Sequence, residues 1–61
     1  MISKKEALIF KGKNVIVVHK DGSSAGNLSR ITSGSIILSK DSFMTLISLD
    51  SIEKIKEREF I

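Results

Sequence analysis

Apolar residues along this chain come in short runs with polar punctuation between them. Residues 15–18, Val-Ile-Val-Val, are β-branched throughout and fit a pleated surface better than a helix. The run does not alternate, so both of its faces are expected to be covered, one by the core and one by the helix or a neighbouring subunit. Asp21-Gly22 is the strongest short-range turn signal, and Ser23 and Ser24 extend it into a longer polar loop. A second strand is expected over residues 26–31, with Leu28 inward and Asn27 and Ser29 outward. Gly26 inside it marks a sharp bend or a close backbone approach. Thr32-Ser33-Gly34-Ser35 is a polar turn, and Ile36-Ile37-Leu38 is a third strand.

After a turn at Lys40-Asp41-Ser42, residues 43–49 read as a fourth strand. Met44 and Leu46 fall on one face, and Phe43, Thr45, Ile47 and Leu49 on the other. Asp50-Ser51 interrupts the pattern. Ile52 and Ile55 are spaced for a short 3₁₀ turn leading into a last strand. A helix over residues 51–59, capped by Asp50, is the competing reading; its apolar stripe is too thin for a packed helix, which favours the strand.

Ahead of the strands, Ser3 and Glu6 have the spacing of a capping box, with Ile2 and Ala7 at the positions of a hydrophobic staple. Gly12 is placed to end the helix. The expected helix covers about residues 3–11 and is too short to stand alone in water, so it must pack on the sheet. Leu8 with Ile9 or Phe10 would be its buried contacts. One short helix and five short strands joined by tight turns make a mainly β chain. At this length a small five-stranded antiparallel barrel of SH3-like or OB-like type fits, spanning about residues 14–57 of a single domain.

Composition narrows the class. A chain of 61 residues buries only about 60% of its unfolded surface, so its core is marginal. There is no Cys to staple it, and small unstapled scaffolds often gain stability by oligomerising. The longest apolar run is far below a membrane span and no signal-peptide pattern is present, so a soluble cytoplasmic protein is expected. The net charge of +3 permits an anionic partner such as nucleic acid. Lys4, Lys5, Lys11 and Lys13 lie close together, with Glu6 the single acid among the first thirteen residues. Aromatic residues for base stacking are scarce, three Phe with no Tyr or Trp.

Catalytic chemistry has little to stand on. The one His, His19, is expected at a strand end, and no pocket for a nucleophile–base–acid set is foreseen. The glycines lack the spacing of a phosphate loop, and neither a metal site nor a cofactor site is expected. The chain reads as a non-enzyme.

The ordered set of segments resembles the Sm-like superfamily, in particular its Hfq-like members. The residues that carry the resemblance are Lys13-Asn14-Val15-Ile16-Val17-Val18, then Asp21-Gly22 and Gly26-Asn27-Leu28, then Ser35-Ile36-Ile37-Leu38, and finally residues 47–55. The resemblance implies an SH3-like (Sm-like) barrel, and a homo-oligomeric ring in which the fourth strand of one subunit pairs with the fifth of the next. It also implies single-stranded RNA as the partner, gripped by the loop before the third strand and by the tight turn before the last strand, with a basic rim as a lateral surface. On this chain those positions are Thr32 and Ser33 in the loop and Lys11 and Lys13 on the rim. The chain departs from the family pattern where an aromatic residue and a Lys-His pair are expected: Thr32-Ser33-Gly34 and Leu49-Asp50 stand there.

Overall fold

The computed structural model describes residues 1–58. Helix α1 (Lys4–Leu8) leads into β1 (Asn14–His19), β2 (Gly22–Ile31), β3 (Ser35–Lys40) and β4 (Phe43–Ser48); a 3₁₀ turn (Leu49–Ser51) then precedes β5 (Ile52–Glu57). The strands form one antiparallel sheet in the order β4-β3-β2-β1-β5, so β4 and β5 are its two edges. The mainly β class, the five antiparallel strands and the short N-terminal helix are as the sequence predicts. The strand reading of the segment after Asp50 also holds through Glu57; Glu59 lies outside the described residues.

β2 is the longest strand, and the sheet turns on it. Its first half pairs with β1, from His19 opposite Gly22 to Asn14 opposite Asn27, and its second half pairs with β3. The register with β3 slips between Leu28 and Arg30, and such a bulge bends a strand and increases its twist. At Gly26 an added Cβ would lie 2.9 Å from the backbone oxygen of Ser39, so β2 and β3 approach there as only a glycine permits. Leu28 holds the same point from the other side. Its N–H donates to the Lys13 carbonyl (3.0 Å) and its carbonyl accepts from the Gly12 N–H (2.8 Å), while its side chain is fully buried.

The core is made by Ile2, Ala7, Val15, Val17, Leu28, Ile36, Leu38, Ile47, Leu49 and Ile52, with Phe10, Ile31 and Ile55 packed on its margin. In β1 only Val15 and Val17 are fully buried; Ile16 and Val18 are partly exposed. The expectation that α1 covers the second face of β1 is corrected: α1 sits at the core rather than across the outer face of the sheet.

Three local expectations also change. Ser23 and Ser24 are not loop residues. Gly22 adopts φ +131°, which lets the hairpin reverse within Lys20-Asp21, so the serines join β2 opposite Val18 and Val17. The 3₁₀ turn starts earlier than the Ile52/Ile55 spacing implies: Ser48 Oγ accepts from the Asp50 N–H (3.3 Å), and Ile52 is already the first residue of β5. The helix ends at Leu8 and continues to Lys11 as single turns. Its inward face is Ile2, Ala7 and Phe10, because Ala7 and Phe10 share the i, i+3 face; Leu8 and Ile9 rotate out to solvent instead of packing.

The helix start is as expected. Ser3 Oγ accepts from the Glu6 N–H (3.1 Å) and donates to Glu6 Oε1 (3.4 Å). Replacing Ser3 with Ala should lower stability by about 1 kcal/mol, read as a shift of the urea midpoint with unchanged slope. An unaltered midpoint would mean that Ile2 alone, through its burial and its N–H to the Leu49 carbonyl, anchors this end.

Candidate functional site

The two sheet edges differ in character. β5, Ile-Glu-Lys-Ile-Lys-Glu, carries four charges, the usual protection of an exposed edge. β4, Phe-Met-Thr-Leu-Ile-Ser, carries none and has no Pro. Register places Phe43, Thr45 and Ile47 on the face of Leu38 and Ile36, and Met44 and Leu46 on the face of Ser39 and Ile37. Only Ile47 reaches the core; Phe43, Met44 and Leu46 are 76%, 75% and 66% exposed. One uncharged edge strand thus exposes apolar side chains on both faces, Met44 and Leu46 on one and Phe43 on the other. A shallow groove lined by Ser29, Arg30, Ile37 and Met44 continues the apolar strip beside β4.

The four residues singled out from sequence fall in two places. Lys11 and Lys13 lie on the link between α1 and β1, which the Gly12 and Lys13 backbone bonds to Leu28 tie to the middle of β2. Thr32 and Ser33 follow Ile31, which pairs with Ile36 toward the opposite end of β3 from Ser39. Lys13 Nζ is 3.3 Å from Glu57 Oε1, with both side chains roughly half exposed. A pair so open to solvent contributes under about 1 kcal/mol, and it offsets part of the Lys13 charge. Lys11 has no ion-pair partner among the described residues. The Thr32 hydroxyl donates to the Ser35 carbonyl (3.2 Å) and accepts from the Ser35 N–H (3.0 Å), so it closes its own turn. The Gly34 carbonyl accepts from the Leu49 N–H (2.9 Å), which joins this loop to the 3₁₀ turn.

His19 is half-buried at the end of β1, with Nε2 3.0 Å from Ser24 Oγ. That distance suits a nucleophile and its base, but the bond that would orient the ring from a carboxylate is not made among the described residues. The pair instead spans the β1–β2 hairpin close to its turn. No cluster of three or more His, Cys, Asp or Glu able to hold a metal ion occurs among the described residues. None of the described helices is long and apolar enough to cross a membrane.

A pocket lined mostly by polar and charged residues is not signalled by the sequence. It has a volume of about 190 Å³ and is lined by Asn14, Asn27, Ser39, Lys40, Asp41 and Arg58 around Gly26. These residues come from the start of β1, the middle of β2, the end of β3 with the turn after it, and the residue following β5, and the bend of β2 brings them together. Their only sequence-level signal is Gly26, which marks the bend.

No family model matches this chain, and neither does any curated protein or solved structure.

Proposed function

We propose that this chain is a non-catalytic, Sm-like small β-barrel protein that assembles into a homo-oligomeric ring by pairing β4 of one copy with β5 of the next. The observation that carries the reading is the β4 edge: six uncharged residues, with Phe43, Met44 and Leu46 open to solvent. An edge of this kind pairs readily with another strand unless it is blunted. β5 is the matching free edge and also has six residues. Its two Glu and two Lys sum to no net charge and tolerate pairing at a rim. The element order supports the barrel type, with a 3₁₀ turn separating the two edge strands.

Single-stranded RNA is the proposed ligand of that ring. Support for it comes from the basic surface: Lys11 is without an ion-pair partner among the described residues, and Lys4 and Lys5 stand on the adjoining helix. Thr32, engaged in its own turn, contributes shape rather than base reading, with Ser33 beside it. The second reading is an SH3-like assembly module that does not bind RNA, and it is favoured by the missing stacking aromatic in this loop.

Solution mass separates these readings. The native chain should run as a multiple of its 6.7 kDa mass, and Leu46→Lys should shift it toward the monomer while its circular dichroism stays that of a folded β protein. A monomeric native chain at high concentration would sink the assembly reading. Oligo-U or oligo-A RNA should add mass in a salt-sensitive way if RNA is the ligand. A ring that ignores both RNAs leaves the assembly module.

A further inference from the structure

The pocket at the bend of β2 lies at the β3–β4 turn, where Lys40 pairs with Phe43 of β4, and apart from the loop at residues 32–34. Its lining joins two cations, Lys40 and Arg58, to the neutral groups of Asn14, Asn27 and Ser39 and to one carboxylate, Asp41. The neutral groups are already oriented. Asn27 Nδ2 donates to the Gly12 carbonyl (3.1 Å) and faces Asn14 Oδ1 at 3.5 Å, which leaves the Asn14 Nδ2 hydrogens without a protein acceptor among the described residues. Ser39 Oγ is held at 2.8 Å from Ser29 Oγ. Lys40 Nζ has no acceptor among the described residues. Gly26 lets the β2 backbone close on Ser39 at the floor of this lining.

Two cations with an amide donor suit a phosphoryl group. A carboxylate next to them repels a bare phosphate but accepts hydrogen bonds from hydroxyls, as an acidic residue does from a ribose. The volume of about 190 Å³ is smaller than the roughly 300–1,000 Å³ of pockets that enclose drug-sized ligands. It fits a fragment: one phosphate with its sugar. We infer that this pocket is a binding site for a sugar phosphate of the ribose 5-phosphate kind, with Lys40 and Arg58 on the phosphate, Asn14 donating to it and Asp41 accepting from sugar hydroxyls. Such a unit occurs free or as one residue of a nucleic-acid strand.

The lining includes no residue of the Lys11 rim and none of β4 or β5 themselves, so binding can be read separately from assembly. Its test is a titration of the full chain with ribose 5-phosphate, followed by backbone amide shifts. Shifts are expected at Asn14, Asn27, Ser39 and Lys40. Lys40→Gln, a change at the exposed last residue of β3, should weaken binding about tenfold by removing a charge-assisted contact. Asp41→Asn tolerates the φ of +56° at that position and should reverse the preference, weakening ribose 5-phosphate while inorganic phosphate binds as well or better. A short oligo-A that perturbs the same amides more tightly than ribose 5-phosphate assigns the unit to a strand; a weaker effect assigns it to the free sugar phosphate. Absence of shifts at these amides, or equal shifts in the native chain and Lys40→Gln, overturns the site.

Discussion

Leu28→Ala should lower the stability of this domain by about 2–5 kcal/mol, the cost of an emptied core position. Leu28 is fully buried and sits in the central strand, opposite Leu38. Neighbours cannot readily collapse into the space, because both flanks of that point are fixed by backbone. The Leu28 N–H and carbonyl are bonded to Lys13 and Gly12 on one side, and the β2–β3 ladder holds the other. Domains of this size hold only about 3–9 kcal/mol in total, at 0.05–0.15 kcal/mol per residue. A substantial unfolded population at room temperature is the expected result, seen as lost β-sheet circular dichroism and a collapsed urea midpoint. Leu28→Met should cost less than about 1.5 kcal/mol and serves as the volume-conserving control. Both variants are to be compared at one protomer concentration, because assembly makes apparent stability depend on it. A Leu28→Ala protein with the native midpoint would contradict the core described above.

The second large effect is expected at Gly26. Its φ is not in the left-handed region, so the objection to a side chain is steric alone. An alanine Cβ would stand 2.9 Å from the Ser39 carbonyl oxygen and 3.4 Å from the Leu38 Cβ. The first is a backbone atom in a paired strand and cannot swing away as a flexible side chain would. Gly26→Ala should therefore cost about 1–3 kcal/mol through a forced separation of β2 from β3. Gly34→Ala is the internal contrast. A Cβ there meets nothing within 4 Å and φ is not positive, so the change should be neutral or stabilising by about 0.4–1 kcal/mol through the unfolded chain. Equal midpoints for the two alanine variants would show that β2 and β3 are not in tight approach at the bend. The same separation would open the pocket lined by Asn27 and Ser39, so Gly26→Ala also weakens whatever that pocket holds.

The chain's own chemistry made several of these features readable. A β-branched run favours a pleated strand over a helix, which found β1. A glycine between Ala25 and Asn27 in an otherwise extended stretch marked the β2–β3 approach. Ser3 and Glu6 announced the helix start, and Leu28 announced the core, because each of these signals is local and acts over a few residues. Ser23 and Ser24 were misread for the same reason. Their composition favours loops, and only the φ of Gly22 and the pairing partners across the hairpin decide that they extend a strand.

Sequence alone therefore determined the class of the chain, one short helix ahead of five antiparallel strands, through periodicity, turn residues and caps. Tertiary structure decided which apolar residues are inside. Leu8, Ile9, Phe43, Met44 and Leu46 are as hydrophobic as the core residues and stay exposed, because burial depends on what packs opposite a side chain. It also decided what the polar residues can do. Thr32 lies where a binding loop is expected, yet its hydroxyl closes its own turn. Asn14, Asn27, Lys40 and Arg58 are far apart in the chain and meet in one pocket. Their meeting follows from the bend and bulge of β2, a long-range arrangement that no local pattern of residues encodes.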